Sequence, residues 1–131
     1  MKRKESYSLV AGGAGFLGSH LCKKLLSQGK RVVCLDNLYT GSETNLSEII
    51  NLDNFIFLNQ DIVSEIDLNL PIDAIYNLAC PASPIHYQKD PIYTLKVCFE
   101  GSLNLLELAN NISAPIFQAS TSEIYGDPLQ H

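Results

Sequence analysis

Four glycines stand within seven residues, at Gly12, Gly13, Gly15 and Gly18, and an acid, Asp36, follows the last of them by 18 residues. Glycine lets a backbone turn tightly and lets another group approach with no Cβ in the way. At the start of a helix, such a turn gathers unpaired N–H groups and the positive end of the helix dipole, which suit phosphate oxygens. A carboxylate at the distance of Asp36 accepts the hydroxyls of a ribose and repels a 2′-phosphate. The implied chemistry is binding of a dinucleotide pyrophosphate with a bare adenosine ribose, hence NAD rather than NADP. Both Gly13-x-Gly15-x-x-Gly18 and Gly12-x-x-Gly15-x-x-Gly18 can be read here, and the glycines alone do not choose between them.

A glycine cluster by itself also describes a flexible loop, so the elements around it decide. Tyr7 to Ala11 is a short apolar run that reads as a buried strand leading into the turn. Phe16, Leu17, Leu21 and Leu25 then follow helical spacing as far as Gln28, with Gly29 closing the helix. Arg31 to Leu35 is a second strand that delivers Asp36. Ser42 or Thr44 can cap a third element near residues 43–50. Phe55 to Leu58 is a third strand, ending near Asp61, and Ala74 to Leu78 a fourth. Between these two strands, Ile66 to Leu70 reads as irregular and Pro71 stops it. The stretch Ala79-Cys-Pro-Ala-Ser-Pro84 is a loop, too rich in proline for helix. Pro91 opens one long helix to about Asn110, and Ile116 to Ala119 is a fifth strand running into Ser120-Thr-Ser-Glu123.

Strands alternating with helices give an α/β class: a Rossmann-like, doubly wound parallel sheet, truncated after about the fifth strand. Ligands in such sheets lie beyond the carboxyl ends of the strands. Function is therefore expected at residues 12–18, 36–41, 78–83 and 120–125, with Asp61 as a further position.

Composition sets the outer bounds. The chain has 131 residues, 46% hydrophobic, and a net charge of −5. That is one domain at most, with enough apolar content for a core. An acidic chain with a pI near 5.0 is a poor match for nucleic acid or an anionic membrane. The Lys2-Arg3-Lys4 cluster reads as a solvated tail. No apolar run approaches the ~18 residues of a membrane span, and the N-terminus lacks a signal-peptide core. Cys22, Cys34, Cys80 and Cys98 are far apart, with no C-x-x-C pair, so the expectation is reduced, buried thiols in a cytoplasmic protein and no metal site. His20 has no partner His or Cys near it in sequence and reads as a helix-surface or phosphate-side residue.

At its strand ends the chain resembles the extended short-chain dehydrogenase/reductase family, and within it the UDP-glucuronate decarboxylase branch. The resemblance is carried by Gly12-Gly-Ala-Gly-Phe-Leu-Gly-Ser-His20, Asp36-Asn-Leu-Tyr-Thr-Gly41, Asn77-Leu-Ala-Cys-Pro-Ala-Ser-Pro84, Asp90-Pro-Ile-Tyr-Thr-Leu-Lys96 and Ala119-Ser-Thr-Ser-Glu-Ile-Tyr-Gly-Asp-Pro128. It implies that Gly12, Gly15, Phe16 and Leu17 hold the pyrophosphate of NAD. Asp36 and Asn37 would hold the adenosine ribose, with Tyr39, Thr40 and Gly41 beside it. Asp61 and Ile62 would flank the adenine, and Leu78 and Cys80 the nicotinamide-side ribose. Lys96 and Asn104 match positions that face a UDP-sugar. Thr121, Ser122 and Glu123 match the catalytic run, Thr121 toward the reacting hydroxyl and Glu123 toward the sugar carboxylate. Read without the resemblance, that run is a capped strand end and Lys96 a solvated helix residue.

The implied reaction takes hydride from C4 of UDP-glucuronate. The C6 carboxylate is then lost as CO₂, because the new 4-ketone can hold the electrons left behind. Hydride then returns to give UDP-xylose. Three features depart from the family's usual pattern. Ala11 stands where Thr is usual and Cys98 where Asn is usual. In addition, none of Tyr7, Tyr39, Tyr76, Tyr87, Tyr93 and Tyr125 has a Lys four residues later, which is how the family supplies its base. The chain is thus expected to be the N-terminal NAD-binding part, residues 1–131, of a homodimeric nucleotide-sugar enzyme, inactive alone and lacking the Tyr/Lys helix and the sugar-binding part. A 4-epimerase, a 4,6-dehydratase or a non-catalytic NAD-binding module are the alternatives.

Overall fold

The structure is a computed structural model and describes residues 6–127. The Lys2-Arg3-Lys4 cluster, Pro128 and His131 lie outside the described residues.

Five parallel strands form one sheet in the order β3-β2-β1-β4-β5. They are β1 (Tyr7–Ala11), β2 (Arg31–Asp36), β3 (Phe55–Asn59), β4 (Ile72–Asn77) and β5 (Ile116–Gln118). The expected strands are thus all present, with ends moved by one or two residues. β1 is central, and Val10 sits in register with Cys34 on one side and Tyr76 on the other. The order doubles back at β1, so the crevice between the ends of β1 and β4 is where a doubly wound sheet takes its ligand.

Alternation along β1 divides the core between the two faces of the sheet. Leu9 and Ala11 point to one face, packed with Leu35, Ile75, Val97 and Leu105. Val10 points to the other, packed with Cys22, Leu25, Cys34 and Phe55. Leu9, Leu35, Ile75 and Leu105 are fully buried, and each such side chain contributes about 1.5–3 kcal/mol of transfer free energy.

Helix α1 (Phe16–Ser27) follows the glycine turn and ends at Gly29, whose φ of +77° is the left-handed conformation of a helix stop. The third element is a 3₁₀ turn over Glu43–Leu46, with the Ser42 hydroxyl accepting the Thr44 N–H, which settles the cap between the two candidates.

Two expectations about the second helical layer need correction. A one-turn helix, α2 (Pro84–Tyr87), follows the proline loop. Pro84 opens it at the one place in a helix where a missing N–H costs nothing. The long helix after Pro91 is also not continuous. It runs as α3 (Pro91–Lys96), a π turn over Val97–Gly101, and α4 (Ser102–Ile112). Asp90 caps α3 through the Tyr93 N–H at 2.9 Å. At the π turn, Gly101 meets the Ile62 side chain so closely that a Cβ would overlap it, so glycine there lets the helix reach the core.

Candidate functional site

A cleft of about 820 Å³ opens at the carboxyl ends of the strands. Its floor is the glycine turn. Gly12 has φ of +76°, and a Cβ there would fall 2.7 Å from the Leu78 carbonyl carbon and oxygen, so the turn and the end of β4 touch backbone to backbone. A Cβ on Gly18 would overlap the Gly12 carbonyl oxygen, so α1 also seats directly on the turn. No side chain caps α1, and there is no acid in its first turn. Its first N–H groups thus lack intrahelical partners, and Gly15, Phe16 and Leu17 at this helix start line the cleft.

Asp36 ties this turn to β2. It is 9% exposed. One carboxylate oxygen accepts the Ala14 N–H at 2.9 Å and the other the Leu38 N–H at 2.8 Å. These bonds fix the carboxylate at the cleft wall and bend the chain after it, where Leu38 takes a φ of +60°. Asn37 then accepts the Tyr39 N–H at 3.0 Å.

The far end of this wall is a side-chain cluster. Asp61 accepts the Tyr93 hydroxyl at 2.6 Å and the Asn37 amide at 2.9 Å. The Asn37 amide also donates to the Tyr93 oxygen at 2.5 Å, and the Tyr39 ring lies 4.9 Å from that of Tyr93. The Tyr93 phenol is pushed up to about 12, first by burial and then by the Asp61 carboxylate. The cluster is therefore a neutral phenol held against an acceptor.

The opposite wall follows β4 and β5. Asn77 is buried; its amide donates to Gln118 at 2.8 Å and to the Ser102 hydroxyl at 3.3 Å, and its oxygen accepts the Ala79 N–H at 3.1 Å. That network sets where Leu78, Cys80 and the strand ends stand. Cys80 Sγ lies 3.4 Å from Cys98 Sγ, and the partial burial of an otherwise exposed side chain, followed by the Cys98 thiol, holds the Cys80 thiol up at about 11. Thr121 and Glu123 line the same side, with the Thr121 hydroxyl accepting the Glu123 N–H at 3.3 Å.

Of the residues expected from sequence, Gly12, Gly15, Phe16, Leu17, Asp36, Asn37, Tyr39, Thr40, Asp61, Ile62, Leu78, Cys80, Thr121 and Glu123 meet in this one cleft. Four stand outside its lining. Gly41 packs on the glycine turn instead, where a Cβ would come 2.9 Å from the Ala14 carbonyl carbon. Ser122 begins the 3₁₀ turn Ser122–Tyr125. Lys96 is exposed at the end of α3. Asn104 spends its amide on the carbonyls of Ile62, Val63 and Ser64, at 2.8, 3.1 and 3.3 Å, and so fastens α4 to the loop after β3.

All four thiols are free, and the expectation of burial holds for Cys22 and Cys34 but not for Cys80 and Cys98, which are exposed and line the cleft. Tyr93 and Asn77 are the residues sequence reasoning missed. The signal for Tyr93 was its place in the first turn after the Asp90 cap, and for Asn77 a lone amide closing an apolar strand. Among the described residues, no group of three His, Cys, Asp or Glu stands close enough to hold a metal ion, and no helix is long and apolar enough to cross a membrane.

Comparison with known proteins bears on the same surfaces. Over its full length the chain is 47% identical to UDP-glucuronic acid decarboxylase 4 of Arabidopsis thaliana and spans 29% of that relative. It is 47% identical over 123 residues to UDP-glucuronic acid decarboxylase 1 of Danio rerio, covering 94% of this chain and again 29% of the relative. Among solved structures, UDP-glucose 4-epimerase of Thermotoga maritima superposes with a TM-score of 0.82 at 32% identity, over 95% of this chain and 41% of that one. The dTDP-glucose 4,6-dehydratase DesIV of Streptomyces venezuelae, solved with NAD bound, gives 0.83 at 26% identity, over 95% and 42%. The chain therefore spans 29–36% of the length of curated relatives it matches. The sequence pattern of the NAD dependent epimerase/dehydratase family matches residues 8–131, and the chain belongs to that family.

Proposed function

We propose that this chain is the NAD-binding part of a nucleotide-sugar enzyme that converts UDP-glucuronate to UDP-xylose through a 4-keto intermediate. The observation that carries the NAD half is the Asp36 carboxylate, bonded to the glycine turn through Ala14 N–H at one end of an uncapped helix terminus. This fits the cofactor on both counts: the turn has no Cβ where a phosphate must approach, and the carboxylate keeps lone pairs for a ribose diol. The backbone of Gly12, Gly15, Phe16 and Leu17 would receive the pyrophosphate. Asp36 and Asn37 would hold the adenosine ribose, with Asp61 and Ile62 at the adenine and Leu78 and Cys80 at the second ribose. When bound, NAD supplies a hydride acceptor that is restored at the end of the cycle.

The choice of reaction rests on likeness. The decarboxylases share 47% of residues with this chain, against 32% for the 4-epimerase and 26% for the dehydratase. Glu123, on the cleft wall, would act near the sugar carboxylate, and Thr121 would bond the reacting hydroxyl. Lys96, Asn104 and Ser122 stand outside the cleft lining, and their assignment, Lys96 and Asn104 toward the UDP-sugar and Ser122 in the catalytic run, rests on the family resemblance alone. The 131 residues hold no Tyr with a Lys four residues on, so this stretch alone would bind cofactor without turnover. The whole enzyme would act as a homodimer.

Two measurements test this. Titration calorimetry on the 131-residue chain should show NAD binding and much weaker NADP binding. Absence of NAD binding by a folded chain would refute the cofactor half. Incubation of the whole enzyme with UDP-glucuronate should release CO₂ and UDP-xylose, whereas UDP-galacturonate as product, or a 4-keto-6-deoxy sugar formed in a parallel incubation with UDP-glucose, would replace the decarboxylase reading with an epimerase or dehydratase one.

A further inference from the structure

Cys80 and Cys98 come from different elements, the loop after β4 and the π turn between α3 and α4, yet their sulfurs lie 3.4 Å apart. Both residues are exposed, and both line the cleft. The other two cysteines, Cys22 on α1 and Cys34 on β2, are buried in the core between these elements. Cys98 lies within the π turn. That turn widens the helix over Val97–Gly101, where Val97 is buried and Cys98 reaches the cleft.

We propose that Cys80 and Cys98 form an oxidisable dithiol in the wall of the cleft, converted to a disulfide by low-molecular-weight disulfides such as oxidised glutathione. The sulfurs need to close only from 3.4 Å to about 2.05 Å. The steps balance. One protein thiolate attacks the small disulfide, forming a mixed disulfide and releasing one small thiolate. The second protein sulfur then displaces the other small thiolate. The two cysteines lose two electrons, the small disulfide gains them, and the two protons end on the two released thiols. Partial burial and the neighbouring thiol favour the protonated form of Cys80, so its attack on a small disulfide is slow near neutral pH and speeds up as pH rises. The resulting link is exposed, the class of disulfide that reductants reverse readily.

The link would tether the loop carrying Leu78 and Cys80 to the π turn. On the reading that this loop receives the second ribose of NAD, bound cofactor and disulfide compete for one wall. Linkage then demands that the factor by which the disulfide weakens NAD equals the factor by which NAD shifts the dithiol toward its reduced form.

The test treats the protein with oxidised glutathione, blocks free thiols, and maps tryptic peptides, since cleavage at Lys89 and Lys96 separates the two cysteines. The expected result is an intact mass lower by two hydrogens and a Cys80–Cys98 cross-linked peptide, absent in Cys98→Ser and in Cys80→Ser. Circular dichroism confirms that each variant is folded. Stable glutathione adducts with no cross-link, or a cross-link surviving in Cys80→Ser through Cys34, would overturn the assignment. NAD titrations of reduced and oxidised protein are expected to differ several-fold in Kd. Equal values would overturn the coupling. No NAD binding to reduced protein would sink the cofactor reading and leave the mapped disulfide standing.

Discussion

The two walls of the cleft are built in opposite ways. On the β1–α1–β2 side every residue of β1 and all but the first of β2 are buried. What this side offers a ligand at the glycine turn is mostly backbone: a turn with glycine at three of its four positions and the open N–H groups of a helix start. On the β4–β5 side, β5 has one half-buried residue and two exposed ones. Here the cleft is lined by side chains, Cys80, Thr121 and Glu123, on exposed loops. Where recognition is made of backbone, fold and binding cannot be changed separately. Where it is made of side chains on loops, they can. The walls should therefore answer substitution differently.

The largest effect is expected at Gly18→Ala. The new methyl would enter the Gly12 carbonyl, and neither the turn nor α1 can retreat without disturbing β1. We expect a loss of about 3 kcal/mol or more in urea unfolding, together with loss of NAD binding. A folded Gly18→Ala protein that still bound NAD would break the distinction between the walls. Asp36→Ala comes next. It leaves the Ala14 and Leu38 N–H groups without their acceptor, which costs about 2 kcal/mol for a buried donor. Here too stability and NAD affinity should fall together. Asp36→Asn, which keeps one oxygen acceptor, should fall between Asp36→Ala and the unsubstituted chain.

Tyr93→Phe tests the side-chain cluster at the end of the same wall. It removes the bonds to Asp61 and Asn37, about 1 kcal/mol net, or about fivefold in Kd if the cluster holds the adenine end. A pH readout isolates the hydroxyl. The phenol ionises near 10.0 when unfolded and near 12 when folded, so between these values the folded state holds a proton that the unfolded state has lost. The associated stability is complete below pH 10 and drains away as pH rises toward 12. The Phe variant should show a shallower fall across that window in unfolding free energy. Identical slopes would mean that the hydroxyl is not held as described.

The same division governs how much could be read from the sequence. The glycine turn, α1 and Asp36 were legible because each depends on local backbone rules: φ at Gly12, a helix start, an acid at a strand end. The five strands were legible because a central parallel sheet leaves an apolar run for each strand. The break in the helix after Pro91 was not. Its apolar positions suit one continuous helix, and the π turn coincides with a tertiary contact, Gly101 against the Ile62 side chain, between residues 39 apart in sequence. The exposure of Cys80 and Cys98 was missed for a related reason. Cysteine is usually buried, and only the tertiary path of two distant elements puts these two beside a cleft. Asn104 shows a limit of reading roles by position: the structure uses its amide to fasten α4 to the loop after β3, an engagement invisible in the sequence.

The smallest effect is expected at Phe117, on the β4–β5 side. This residue is 55% exposed on the edge strand, and its main neighbour on that face is Tyr76, with ring centroids 6.3 Å apart. A ring that keeps half its surface in water gains only part of the transfer free energy of a buried one. Threonine suits a strand and stays polar at an edge, so the backbone pairing with β4 survives. Phe117→Thr should therefore change unfolding free energy by no more than about 0.5 kcal/mol, and it should lessen concentration-dependent association, because an exposed ring on a sheet edge invites it. A loss of 2 kcal/mol or more that vanished on dilution would show that this face is covered by another molecule in solution. The comparison would then become one between a wall that is complete within the chain and a wall that a partner completes.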